Sequence, residues 1–216
     1  MKTNVKNLKK SVVLFFVGTG DESLMHRGYG HLARKHRTTA VELMKIAQEK
    51  GFEIVFADKD ESLLERAKKI GIDISNLIFL CKDNTRFFCR NFYDKLLENN
   101  IQPTVVFVAG HFREKCMSLA LNHLLTMKFQ NSNKVQYNPP KIYYLIGTAS
   151  IPSKGYIKYD RHKLDEFFEK GVEPITIPEF RLVNKKGDLD NRFEASRSIL
   201  REQAKLRVLE FDENMF

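Results

Sequence analysis

Short apolar runs alternate along this chain with longer runs of helical period. Val12-Val13-Leu14-Phe15-Phe16-Val17 is apolar at every position, the pattern of a strand buried on both faces, and it ends at Gly18-Thr19-Gly20. Over Thr38–Lys50, Val41, Leu43, Met44, Ile46 and Ala47 supply one broad apolar helical face, and Gly51 stops it. Phe52–Ala57 predicts a second strand, ending in Asp58-Lys59-Asp60. Glu61–Ile70 predicts a helix with Leu63, Leu64, Ala67 and Ile70 at helical spacing. A third strand follows at Leu77–Cys81, ending in Lys82-Asp83-Asn84, then a helix near Phe88–Glu98. Thr104–Ala109 predicts strand four, ending in Gly110-His111-Phe112-Arg113; Lys115–Phe129 a helix; and Lys141–Ile146 strand five.

Five apolar strands separated by helices predict an α/β fold: a doubly wound, mainly parallel sheet with helices on both faces. In such folds the ligand sits outside the carboxyl ends of the strands, near the reversal of strand order. Those ends are polar or glycine-rich here. Beyond strand five the pattern changes. Lys163–Glu169 predicts a short helix, and Val172–Ile177 and Glu179–Val183 two strands interrupted by Pro174 and Pro178, at least one of them at an edge. These would make a C-terminal β-hairpin, followed by an amphipathic helix within 190–210. The chain is expected to be a single domain over 1–216, with a core over 10–183 and a basic insertion at 21–37.

Composition adds little to the fold and something to the partner. The 216 residues carry 36 Lys+Arg against 27 Asp+Glu, a formal net charge of +9, which favours an anionic partner such as RNA or a nucleotide. No apolar run is long enough to span a membrane, and the run behind the N-terminal lysines is too short for an export signal. Cys81, Cys89 and Cys116 match no zinc spacing and are too few for a disulfide framework. Reduced thiols and a cytoplasmic location are the expectation.

The candidate chemistry sits at the strand ends. Gly18-Thr19-Gly20-Asp21 lets the backbone approach a ligand closely, but the third glycine of a dinucleotide fingerprint would fall at Ser23. Asp58 is placed to accept from ribose hydroxyls, and Asp60 to cap the helix from Glu61. Asp83 is an acceptor for an adenine amino group or a turn residue. His111 is a candidate general base and Arg113 a bidentate anion ligand, the alternative being a helix cap and a solvated side chain. The insertion holds Arg27, Arg34, Lys35 and Arg37 as a basic lid or a solvated loop. Its His26, His31 and His36 are five residues apart, about 500° round a helix, and do not share a face. No metal site is expected. There is no nucleophile elbow, and no P-loop, which excludes phosphoryl transfer by that route.

Gly18-Thr19-Gly20, Phe56-Ala57-Asp58-Lys59-Asp60-Glu61-Ser62-Leu63-Leu64-Glu65-Arg66-Ala67 and Ile78-Phe79-Leu80-Cys81-Lys82-Asp83 together resemble the first three motifs of Rossmann-like class I S-adenosylmethionine-dependent methyltransferases. Val17-Gly18-Thr19-Gly20-Asp21-Glu22-Ser23 is also similar to the glycine loop of ribosomal-RNA uridine methyltransferases. The resemblance implies S-adenosylmethionine as cofactor. Its methionine part would lie on Gly18, Thr19, Gly20 and Asp21, its ribose on Asp58 and its adenine on Asp83. It also implies the closing hairpin, and transfer of a methyl group to RNA or another anionic acceptor. Two other readings stay open: an enzyme binding NAD or another nucleotide, and a non-catalytic module binding a nucleotide or a protein.

Overall fold

The computed structural model describes residues 8–17, 30–57, 59–80, 92–110, 117–130, 140–146, 165–189 and 199, the side chains of 30–35 and 126–130 apart. The strands are β1 (Lys9–Val17), β2 (Glu53–Phe56), β3 (Ile78–Phe79), β4 (Ile101–Gly110), β5 (Lys141–Ile146) and β6 (Val172–Thr176). They form one sheet in the order β3-β2-β1-β4-β5-β6, and every pairing is parallel. The helices are α1 (Gly30–Lys50), α2 (Glu61–Lys69), α3 (Phe92–Glu98), α4 (Ser118–Gln130) and α5 (Ile177–Leu182), with a further helical turn at 165–169.

The apolar run of β1 explains the layering. Alternate residues of a strand point to opposite faces, so a strand apolar throughout needs cover on both. Val13, Phe15 and Val17 pack with Val106 and Val108 beneath Leu96 of α3, Leu121 and Leu124 of α4, and Phe167. Val12, Leu14 and Phe16 pack on the other face, with Leu43 and Met44 of α1, Leu63 and Ala67 of α2, and Phe180 of α5. The chain thus winds both ways from β1 and β4, as its alternation predicts.

Three boundaries differ from expectation, each for a physical reason. Helix α1 starts at Gly30, eight residues before Thr38, so the second half of the 21–37 insertion is helix. The apolar face read from the sequence spans Val41–Ala47, and hydrophobic period leaves the boundary of a helix loosely fixed. Strand β4 starts at Ile101 and runs through Pro103, where the register against β1 slips between Ser11 and Val12. A proline is tolerated at such an irregularity because no ladder donor is needed there.

The third difference is the expected hairpin, which does not form. Only Val172–Thr176 is a strand, and it lies parallel to β5 at the sheet edge, Pro174 included. Glu179–Val183, expected as its partner, is taken up largely by α5. Thr176 is the N-cap: its hydroxyl accepts from the Glu179 N–H, and the Glu179 carboxylate accepts from the Thr176 N–H at 2.8 Å. Pro178 sits in the first turn, where its missing N–H costs nothing. Thr-x-x-Glu around a proline is a helix start, and it outweighs the β-rich composition. The α5 carboxyl end is held by the Lys50 ammonium, which donates to the carbonyls of Arg181 at 2.9 Å and Val183 at 2.6 Å. Thr176→Ala is expected to lower unfolding free energy by about 1 kcal/mol and Thr176→Ser to restore most of it, measured by urea denaturation. An unchanged midpoint for Thr176→Ala would mean that the box contributes nothing. The expected helix within 190–210 lies outside the described residues, apart from Ile199.

Candidate functional site

The strand order reverses between β1 and β4. From β1 the chain proceeds to β2 on one side, and from β4 to β5 on the other. The carboxyl ends of the two strands lie side by side, with Val17 opposite Gly110. Their approach is unusually close. A Cβ on Gly110 would stand 2.0 Å from the Val17 carbonyl oxygen and 2.8 Å from its carbonyl carbon, and the glycine has φ +156°. No other residue type fits there, and both residues are buried where the two strands end.

Asp60 follows the carboxyl end of β2, the neighbour of β1 in the sheet. Its backbone is extended and its Oδ1 accepts from the Leu63 N–H at 3.1 Å, which makes it the N-cap of α2, as its place before Glu61 predicts. The other carboxylate oxygen, Oδ2, is covered and accepts no hydrogen bond from a described residue. Beside it, exposed Lys59 pairs with Glu61. Helix α1 descends from the same end of the sheet, and His36 and Arg37 are half-buried on it.

Gly18, Thr19, Gly20, Asp21, Arg27, Asp58, Asp83, His111 and Arg113 lie outside the described residues, as do Cys81, Cys89 and Cys116. Arg34 and Lys35 are on α1, their side chains outside the described ones. The described strands β1 and β4 stop one residue short of Gly18 and His111. What sequence reasoning missed is the second oxygen of Asp60. A capping aspartate is legible from its spacing, but the covering of one of its two oxygens is not.

A groove of about 520 Å³ lies at the opposite, amino-terminal end of β1, β2 and β3, and sequence reasoning gave no sign of it. Its polar groups largely satisfy one another. Glu53 Oε1 accepts from Lys9 Nζ at 2.6 Å and lies 3.4 Å from Ser11 Oγ. Asp73 accepts from the Ser75 N–H and hydroxyl, and these bonds hold its carboxyl below the usual carboxylate range. The crevice at the reversal of strand order is instead at the carboxyl end, which makes that end the candidate site.

Sheet order, parallel pairing and two-sided helical cover define a doubly wound α/β protein with its crevice between β1 and β4. Neither a protein-family model nor a curated protein matches the chain. Among solved structures, the crystal structure of the pyrazinamidase of Pyrococcus horikoshii in complex with zinc is similar. The match has a TM-score of 0.52 at 15% sequence identity and covers 77% of this chain and 99% of that one. At that identity it shows the fold alone.

It nevertheless corrects the functional expectation. The neighbour is a pyrazinamidase and not a methyltransferase, so the S-adenosylmethionine-dependent activity and its cofactor are not supported. The parallel β6, in place of the closing hairpin, points the same way. The physical reason lies in the motifs: a glycine turn after strand one and acids after strands two and three suit any doubly wound sheet. The expectation of no metal is corrected too, because the neighbour carries zinc. Among the described residues no group of three or more His, Cys, Asp or Glu is arranged to hold an ion. Among the described residues, no helix is long and apolar enough to cross a membrane.

Proposed function

We propose that this chain binds a small anionic molecule in the crevice at the carboxyl ends of β1 and β4. The observation that carries the reading is the reversal of strand order at that point, where the ends of β1 and β4 lie side by side. The net charge of +9 raises the local concentration of anions. Arg37 is half-buried on the helix that descends from this edge. In this reading Gly18–Gly20 wrap the ligand, Arg113 holds its anionic group as a fork, and His111 moves a proton. Arg34 and Lys35, one helical turn before Arg37, add to the attraction.

Calorimetry on the purified chain tests it, with inorganic phosphate, ribose 5-phosphate, adenosine monophosphate and pyrazinamide as probes, each with and without one equivalent of zinc. At least one phosphate compound is expected to bind, with affinity falling as salt rises. Absence of binding by all three would sink the reading. Pyrazinamide is included because the structural neighbour is a pyrazinamidase. If it alone binds and is hydrolysed to release ammonia, the ligand is a neutral amide and the anionic assignment is wrong.

A further inference from the structure

We propose that the amino-terminal end of the sheet, opposite the crevice, holds the phosphate backbone of a nucleic-acid duplex through Lys10, Lys141, Lys185 and Lys186. The loop over 184–188 is the anchor. Asn184 Oδ1 accepts from the N–H groups of Lys186 at 2.8 Å and Asp188 at 3.0 Å, and the Asn184 N–H donates to the Asp188 carbonyl at 3.0 Å. Gly187 is buried with φ +82°, and a Cβ on it would stand 2.8 Å from Val105 Cγ2 and 3.1 Å from Val12 Cγ2. The Lys50 ammonium fixes the entry to the loop through the Val183 carbonyl at 2.6 Å. The bonds that shape the loop use backbone groups and the side chains of Asn184 and Asp188, which leaves Lys185 and Lys186 exposed at its tip.

Strand register brings two further lysines to the same place. Val12, Val105 and Lys141 stand opposite one another on β1, β4 and β5. Val12, Val105 and Tyr143 point to the face covered by α1 and α5, so by alternation Lys10 and Lys141 point there too. Strand spacing and rise put the Cα atoms of Lys10 and Lys141 about 12 Å apart, with Gly187 seated over the valines between them. The nearby carboxylates are engaged: Glu53 with Lys9, Glu42 with Arg181, Asp188 with Asn184 Nδ2, and Glu173 with Lys141 at 3.4 Å. Exposed Glu49 offsets its neighbour Lys50. Among the described residues Lys10, Lys185 and Lys186 make no ion pair, so an excess of positive charge remains. A duplex carries one negative charge per about 1.7 Å of axis, and a loop fixed before contact loses little freedom on meeting it. A mixed lipid surface, its charge spread among neutral headgroups, matches so small a cluster less well. Lysine amines are compact point charges, so this surface reads phosphate and not sequence.

Fluorescence anisotropy of the full chain with a labelled RNA duplex tests the assignment. For four phosphate contacts, log K is expected to fall against log salt with a slope of about −3.6. Changing Lys10→Gln, Lys185→Gln and Lys186→Gln together should weaken binding at low salt about tenfold or more and flatten the slope to about −1. The control, Arg66→Gln, Lys68→Gln and Lys69→Gln on α2, removes as many exposed positive charges and should leave affinity and slope nearly unchanged. All six side chains are exposed, so both variants should melt at the wild-type temperature. Equal weakening in the two variants would reduce the effect to net charge and overturn the assignment. Undiminished duplex affinity in the Lys10 variant overturns it as well. So does a wild type that fails to bind the duplex, including one captured by phosphatidylserine vesicles instead. None of these outcomes depends on the crevice at the other end of the sheet.

Discussion

Phe107→Ala is expected to remove about 3–5 kcal/mol of unfolding free energy, the scale for deleting a fully buried aromatic side chain. Phe107 lies in the middle of β4, next to the centre of the sheet, and has no exposed surface. Its ring stacks on Tyr143 of β5, with centroids 5.0 Å apart and 9° between planes, and meets Phe180 of α5 edge-on at 4.9 Å. Phe52, just before β2, is near-parallel to it at 6.1 Å and meets Phe180 at a steep angle. One ring therefore joins the central sheet to α5, and alanine would leave a cavity among rigid aromatics that cannot collapse to fill it. A typical domain has only about 5–15 kcal/mol in all, so the variant should be close to unfolding at ambient temperature. Guanidinium denaturation measures the loss. Phe107→Leu should retain more than half of it, and a change below 1 kcal/mol for Phe107→Ala would contradict this packing.

Gly110→Ala is expected to cost about 1–3 kcal/mol and to weaken ligand binding in the crevice as well. The added methyl would stand 2.0 Å from the Val17 carbonyl oxygen, a backbone atom that cannot rotate aside, so the ends of β1 and β4 would have to part. Gly51 provides the control. It also has a positive φ, +73°, but nothing lies within 4 Å of an added Cβ, so Gly51→Ala carries backbone strain alone. Both variants should be destabilised, and only Gly110→Ala should lose affinity for the phosphate probes. Equal effects on binding in the two would separate this strand junction from the ligand.

How much of the site was legible follows from the same residues. Asp60 was readable as a cap because capping depends on residues three apart, and Leu63 supplies the N–H as that spacing requires. Gly110 was readable as a strand exit but not as a point of contact with Val17, which lies far off in sequence and reaches it only through the β1–β4 pairing. The methyltransferase expectation failed for a related reason. Its motifs are short strand-end signatures, and they describe a class of sheet and not a cofactor.

By itself the sequence determined the alternation of buried strands and amphipathic helices, and with it the parallel, doubly wound class. Val12–Val17 could be stable only between two helical layers. Tertiary structure alone decided that β6 adds parallel to β5, that the first helix continues back to Gly30, that Gly110 touches Val17, and that one oxygen of Asp60 is covered. Hydrophobic period and capping act over a few residues and are written locally. Strand neighbours and close backbone approach depend on which distant segments meet, and that is settled only when the whole sheet closes on its core.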